Sequence, residues 1–184
     1  MKLETATIRR LSEALLQSGR RPSVVMSTAY ETLAREGMLS QEETAALSRV
    51  DPLAETMFLM MAADGKVAEA EKDAVRGAIR GLTDNLVRSG TINVMIENYQ
   101  KKLETEGREA RLREIAEAIA DEPADAEGAF ALAAAVALAD DEVAEEENEL
   151  INQLAEWFGI SDERAGELLD QLDEDREASQ GHLG

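Results

Sequence analysis

The chain contains no cysteine. That excludes disulfides, thiol nucleophiles and thiolate metal sites. Its one histidine, His182, sits in the polar end of the sequence, so no Ser/His/Asp set can be assembled around it. Neither G-x-x-x-x-G-K-S/T nor G-x-G-x-x-G occurs, which removes the usual phosphate cradles. Aromatic residues make up only 3% of the 184 positions, leaving Ala, Leu, Val, Ile and Met to build the core. Only three prolines interrupt the chain. No run of alternating β-branched residues suggests a strand.

Long apolar runs are also missing. The longest, Ala129–Ala139, is too short to span a bilayer. The first residues, MKLETATIRRLSEALLQSG, carry charges throughout and lack the apolar stretch of a secretory signal. A cytoplasmic location without membrane insertion is expected.

What is present is alanine, helix-forming residues and acid. Apolar residues account for 44% of the chain, enough for a core. The formal charge is −20, and it is unevenly spread. Residues 121–184 hold 20 acids against two bases, Arg164 and Arg176. Such a field repels nucleic acid and anionic membrane, and attracts cations or basic protein surfaces. Solubility alone also accounts for it.

Residues 1–50 read as a helical extension of two or three short amphipathic helices. Leu3, Ile8, Leu11, Leu15 and Leu16 share one face, Gly19 ends that segment, and Ser40-Gln-Glu-Glu43 has capping-box form. Asp51-Pro52 reads as a helix start, with an N-cap side chain followed by proline at N1. Helices are then expected at about 52–63, 69–82, 90–105, 108–121, 125–139, 145–158 and 162–173. The fold class is all-α: a bundle over 51–173, with residues 174–184 as a polar, disordered tail.

An internal repeat is the most informative feature. Ala63-Asp-Gly-Lys-Val-Ala-Glu-Ala-Glu71 recurs 76 residues later as Ala139-Asp-Asp-Glu-Val-Ala-Glu-Glu-Glu147, with six of nine positions identical. Each copy follows an apolar helix and precedes an amphipathic one. The pattern implies a duplicated helix–loop–helix and a pseudo-two-fold bundle. Asp64 and Asp140 close the first helices, and Glu71 and Glu147 fall in the first turn of the next, where N–H groups are unpaired.

Two readings follow. Each glutamate caps its own helix and each aspartate closes its loop. Alternatively, Asp64, Glu71, Asp140 and Glu147 converge as an oxygen-only site for Ca²⁺, Mg²⁺ or Mn²⁺. The spacing matches the back half of an EF-hand loop, but the first and third ligand places would be Met60 and Ala62, or Val136 and Leu138. An ordinary EF-hand is therefore excluded.

At these residues the sequence resembles the TerB-like tellurite-resistance family, which is also represented in the N-terminal domain of a membrane-attached DnaJ-like co-chaperone. The resemblance rests on Ala63-Asp64-Gly65, Val67 and Glu71, on Ala139-Asp140, Val143 and Glu147, and on Glu156–Ser161, and it covers about 52–173. Ala68 and Ala144 stand where the family often has a capping residue, and Asp141 stands for the second glycine. The resemblance implies an all-helical module of bacterial stress or tellurite-resistance systems, acting in metal sensing or as a scaffold for protein partners, and the missing catalytic parts make a non-enzymatic role the expectation. By analogy, the same four acids are the candidate ligands. If they are structural only, the expected function is an acidic scaffold that docks a basic partner.

Three further features have plain explanations. The stretch 80–113 has seven bases against five acids and reads as a solvated face or a meeting point for acid. Trp157-Phe158 and the group Met57, Met60 and Met61 read as core.

Overall fold

The computed structural model describes residues 41–62, 69–119, 122–138 and 145–181. Among them are seven α-helices and no strand: α1 Gln41–Met61, α2 Glu69–Leu82, α3 Ser89–Glu106, α4 Arg108–Ile119, α5 Pro123–Leu138, α6 Glu145–Trp157 and α7 Asp162–Gly181. The all-α class is as expected. The first forty residues lie outside the described part.

Two helices form the centre. Helix α5 has apolar residues on every side, and Ala129, Ala133, Ala134 and Leu132 are fully buried. A helix without a polar face must be surrounded. Helix α1 ends in the same way, with Leu53, Ala54, Met57, Phe58 and Leu59 at 1% exposure or less. Among the described helices, α1 and α5 make the most extensive contact. Alanines keep α5 slender, and Phe58 of α1 and Phe130 of α5 supply aromatic bulk to the core. Helix α2 then lies on α1, α6 and α7 lie on α5, and α3 and α4 complete the bundle. The Met57, Met60 and Met61 stripe is core, as is Phe158.

Hydrogen bonds fix directions. Arg76 and Arg80 of α2 bond Asn93 and Ser89 of α3, so these two helices are antiparallel. Glu43, Asp51 and Glu55 of α1 meet Arg88, Tyr99 and Lys102, so α1 and α3 run the same way.

Local signals explain the ends. Gly159 has φ +72°, its N–H bonds Glu156 O, and the Ile160 N–H bonds Ala155 O at 2.8 Å. Those two bonds make a Schellman ending. Ser161 then caps α7, its Oγ accepting from the Arg164 N–H at 3.1 Å. Gly107 separates α3 from α4 at φ 85° and ψ 159°, a region open to glycine almost alone. A Cβ at this position would meet nothing within 4 Å. Gly107→Ala therefore isolates backbone strain and is expected to cost about 1–3 kcal/mol in urea unfolding. A neutral result would mean the turn relaxes freely.

Two expectations need correction. Helix α1 does not start at Asp51-Pro52; it starts at Gln41 and carries Pro52 inside it. Buried Leu47 and Val50 continue the apolar face of Leu53 and Ala54. Proline forfeits one helical N–H donor, and the Thr56 hydroxyl bonds the Pro52 carbonyl at 2.8 Å. The boundary drawn between 50 and 51 thus falls within one helix. At the other end, α7 runs to Gly181, where a tail was expected from 174. Glu-Asp-Arg-Glu-Ala-Ser-Gln contains no Gly or Pro to stop a helix, and Leu172 and Asp175 are buried.

Candidate functional site

The repeated acids are only partly within view. Asp64 and Asp140 lie outside the described residues, as does the side chain of Glu147. Glu71 falls in the first turn of α2 and is half-buried. Residue 147 falls in the first turn of α6. Both glutamates therefore occupy the helix-opening positions that the sequence indicated. Among the described residues, no three Asp, Glu, His or Cys side chains come together as a metal site.

The described part holds instead a buried charge cluster that sequence reasoning missed. Glu55 of α1 and Arg111 of α4 are 3% and 5% exposed. Arg111 Nη2 donates to both Glu55 oxygens at 2.8 Å. Its Nη1 donates to Glu114 at 2.7 Å and Glu106 at 3.3 Å. Lys102 Nζ stands 4.0 Å from Glu55. One turn earlier on α1, the Tyr99 hydroxyl donates to the Asp51 carboxylate at 2.7 Å. Near the start of α1, Arg88 donates to buried Glu43 at 2.9 and 3.1 Å. Three acids of α1 are thus answered from α3, from the residue that precedes it and from α4.

Burial pushes the Glu55 carboxyl above its usual range. The Arg111 hydrogen bond and charge and the Lys102 charge pull it down, and the Asp51 charge adds to the rise. Burial works against the Arg111 charge, but its bond to Glu55 and the charges of Glu55, Glu114 and Glu106 outweigh it. The Glu55 direction governs the pair, because only the carboxyl titrates in the accessible pH range. A guanidinium ringed by three carboxylates cannot take up a substrate anion. The cluster ties α1, α3 and α4 together.

This accounts for much of the basic stretch 80–113. Arg80, Arg88, Lys102 and Arg111 turn to Ser89, Glu43, Glu55 and the surrounding acids. Arg113 pairs with Glu109 at 2.9 Å and stands 5.3 Å from the Trp157 ring centroid. The chain answers these charges itself. The one sequence sign of the cluster was Glu55, a lone charge in the apolar run LAETMFLMM.

Two surface clefts adjoin these elements. One, about 520 Å³, lies between α2 and α3 and is lined by charged groups that include Glu69, Lys72, Arg76 and Lys101. Lys72 bonds Glu69, and Arg76 bonds Asn93. The other, about 340 Å³, lies where the start of α5 meets the α6–α7 turn, and its apolar lining includes Trp157, Phe158 and Ile160. Arg164 and Glu127 face each other across it, at 2.7 and 3.1 Å.

No helix among the described residues is long and apolar enough to cross a membrane. Searches of curated proteins and of solved structures return no match. The family described as tellurite resistance protein TerB matches residues 51–170, from the middle of α1 to the middle of α7. That stretch holds both copies of the repeated motif, and this chain therefore belongs to the tellurite resistance protein TerB family.

Proposed function

We propose that this chain is a non-catalytic stress-response module of the cytoplasm, and that its two acidic loop–helix junctions hold a divalent cation. One observation carries the reading. Between Arg113 and Arg164 there are sixteen Asp and Glu residues and no Lys or Arg. Elsewhere the acids meet the chain's own bases, as Glu55 meets Arg111 and Glu43 meets Arg88. Here Glu114 and Glu127 pair with Arg111 and Arg164, which lie at its ends, and the remaining excess of acid over base favours an external cation. Helices α1 and α5, which lead into the two junctions, make the most extensive contact among the described helices. Oxygen-only ligands suit Ca²⁺, Mg²⁺ or Mn²⁺. The four acids proposed are Asp64, Glu71, Asp140 and Glu147.

Calorimetric titration of the metal-stripped chain tests it. Binding of one of these cations is expected, and Asp140→Asn with Glu147→Gln should abolish it while helical content is kept. Saturation at a hundredfold excess over Kd should stabilise the fold by about 2.7 kcal/mol. No heat from any of the three, at protein concentrations that detect about 100 µM affinity, would leave the acids as caps. The chain would then be an acidic scaffold for a basic protein partner.

A further inference from the structure

We propose that the cleft where the start of α5 meets the α6–α7 turn docks a basic peptide segment of a partner protein, anchored by one apolar side chain against Trp157 and Ile160. This inference does not rest on the cation reading.

The cleft is built from three chain segments. Pro123 and Ala126 come from the first turn of α5, Trp157 and Phe158 from the end of α6, and Ile160 from the turn into α7. Its volume of about 340 Å³ is near the bottom of the small-molecule range of roughly 300–1,000 Å³. It suits a single anchoring side chain better than a whole enclosed ligand. Trp157 and Ile160 are half-buried and Phe158 is buried, so an apolar surface remains open to an anchor. The Gly159 turn holds Ile160 in place through the bond from its N–H to Ala155 O at 2.8 Å. The walls are therefore formed before any partner arrives.

Charge selects the occupant. Glu156, Asp162 and Glu163 adjoin the lining residues in the chain, and all three are exposed. The one base in the lining, Arg164, is answered by Glu127 and by Glu167 at 2.7 Å. Its charge therefore does not repel a cationic partner. The indole already accepts a guanidinium, that of Arg113, at 5.3 Å. An apolar slot whose lining residues are flanked in the chain by exposed acids complements a segment with a Leu, Ile or Phe anchor flanked by Lys or Arg.

The single tryptophan of the chain lies in the cleft, so its emission reports occupancy. The full chain is titrated with an amphipathic Lys/Leu peptide that lacks tryptophan. A saturable blue shift is expected. Ile160→Lys, and separately Glu156→Lys with Glu163→Lys, should each weaken binding by about tenfold. The charge reversals sit at exposed positions, so they carry the test alone if Ile160→Lys loses helical content. A peptide with Ser in place of Leu should not shift the emission. Equal binding of that peptide would reduce the effect to charge alone and overturn the proposal. Equal binding of a Glu/Leu peptide would reduce it to apolar adhesion and overturn it as well. An emission shift driven by protein concentration alone would assign the cleft to a second copy of the chain, against the proposal.

Discussion

Arg111→Met is expected to destabilise the fold by about 3–5 kcal/mol, because it leaves the Glu55 carboxylate buried without its partner. Glu106 and Glu114, with side chains 39% and 61% exposed, can return to water; Glu55, at 4%, cannot. The double change Glu55→Met with Arg111→Met should behave differently. Removing both charges removes both desolvation costs, and such replacements are often neutral or stabilising by about 1–4 kcal/mol. Urea unfolding of the two variants beside the parent decides it. If both lose the same amount, the cluster contributes net stability and the desolvation argument fails.

The pH dependence has a definite sign. The folded-state pKa of Glu55 lies above the ordinary glutamate value of 4.5, so the folded chain holds this proton more tightly than the unfolded chain. The stability contributed by the group is fully present below 4.5. It is lost as pH rises through the interval above that value. This is opposite to the usual behaviour of a paired carboxylate. The advantage of the double variant over the parent should grow with pH through that interval and then level off.

Phe58→Ala should also cost about 3–5 kcal/mol. Phe58 is fully buried, and its ring centroid is 5.8 Å from that of Tyr99 at an interplanar angle of 53°. The substitution removes both its own apolar area and the partner surface of the tyrosine. The Tyr99 ring is tethered through its hydroxyl to Asp51 at 2.7 Å, which holds it back from filling the space. A change of midpoint at constant m-value in urea would show the loss. A cost below about 1 kcal/mol would mean that α1 and α3 are not packed as described.

The parts of the fold legible in the sequence are those decided by neighbours in the chain. The Gly159 stop and the Ser161 cap each depend on bonds within five residues. The buried character of α5 is written in its unbroken apolar composition. Glu55 and Arg111 are 56 positions apart, and neither carries a local mark of the other. Only the packing of α1 on α4 makes them a pair. Asp51-Pro52 misled for a related reason: a valid local start signal was overridden by a longer apolar period running through it. The extension of α7 beyond 173 rests on helix propensity with little apolar pattern, so periodicity gave no sign of it. As for the candidate site, the repeat named its carboxylates. Their mutual distance depends on how two remote hairpins meet, which no spacing within one hairpin encodes.

The continuity of α1 across Pro52 has a consequence for what counts as the unit of this protein. The family likeness begins at residue 51, one position before a residue that would open a helix unaided. The likeness therefore begins about three helical turns after the first described residue of α1. A fragment cut where the likeness starts would keep a competent helix opening, yet it would strip Leu47 and Val50 from the interior and deprive Arg88 of Glu43. Residues 41–50 are joined to the part with the family likeness by a continuous rod and not by a linker. A load applied at Gln41 is transmitted along that rod to the turn that carries Glu55.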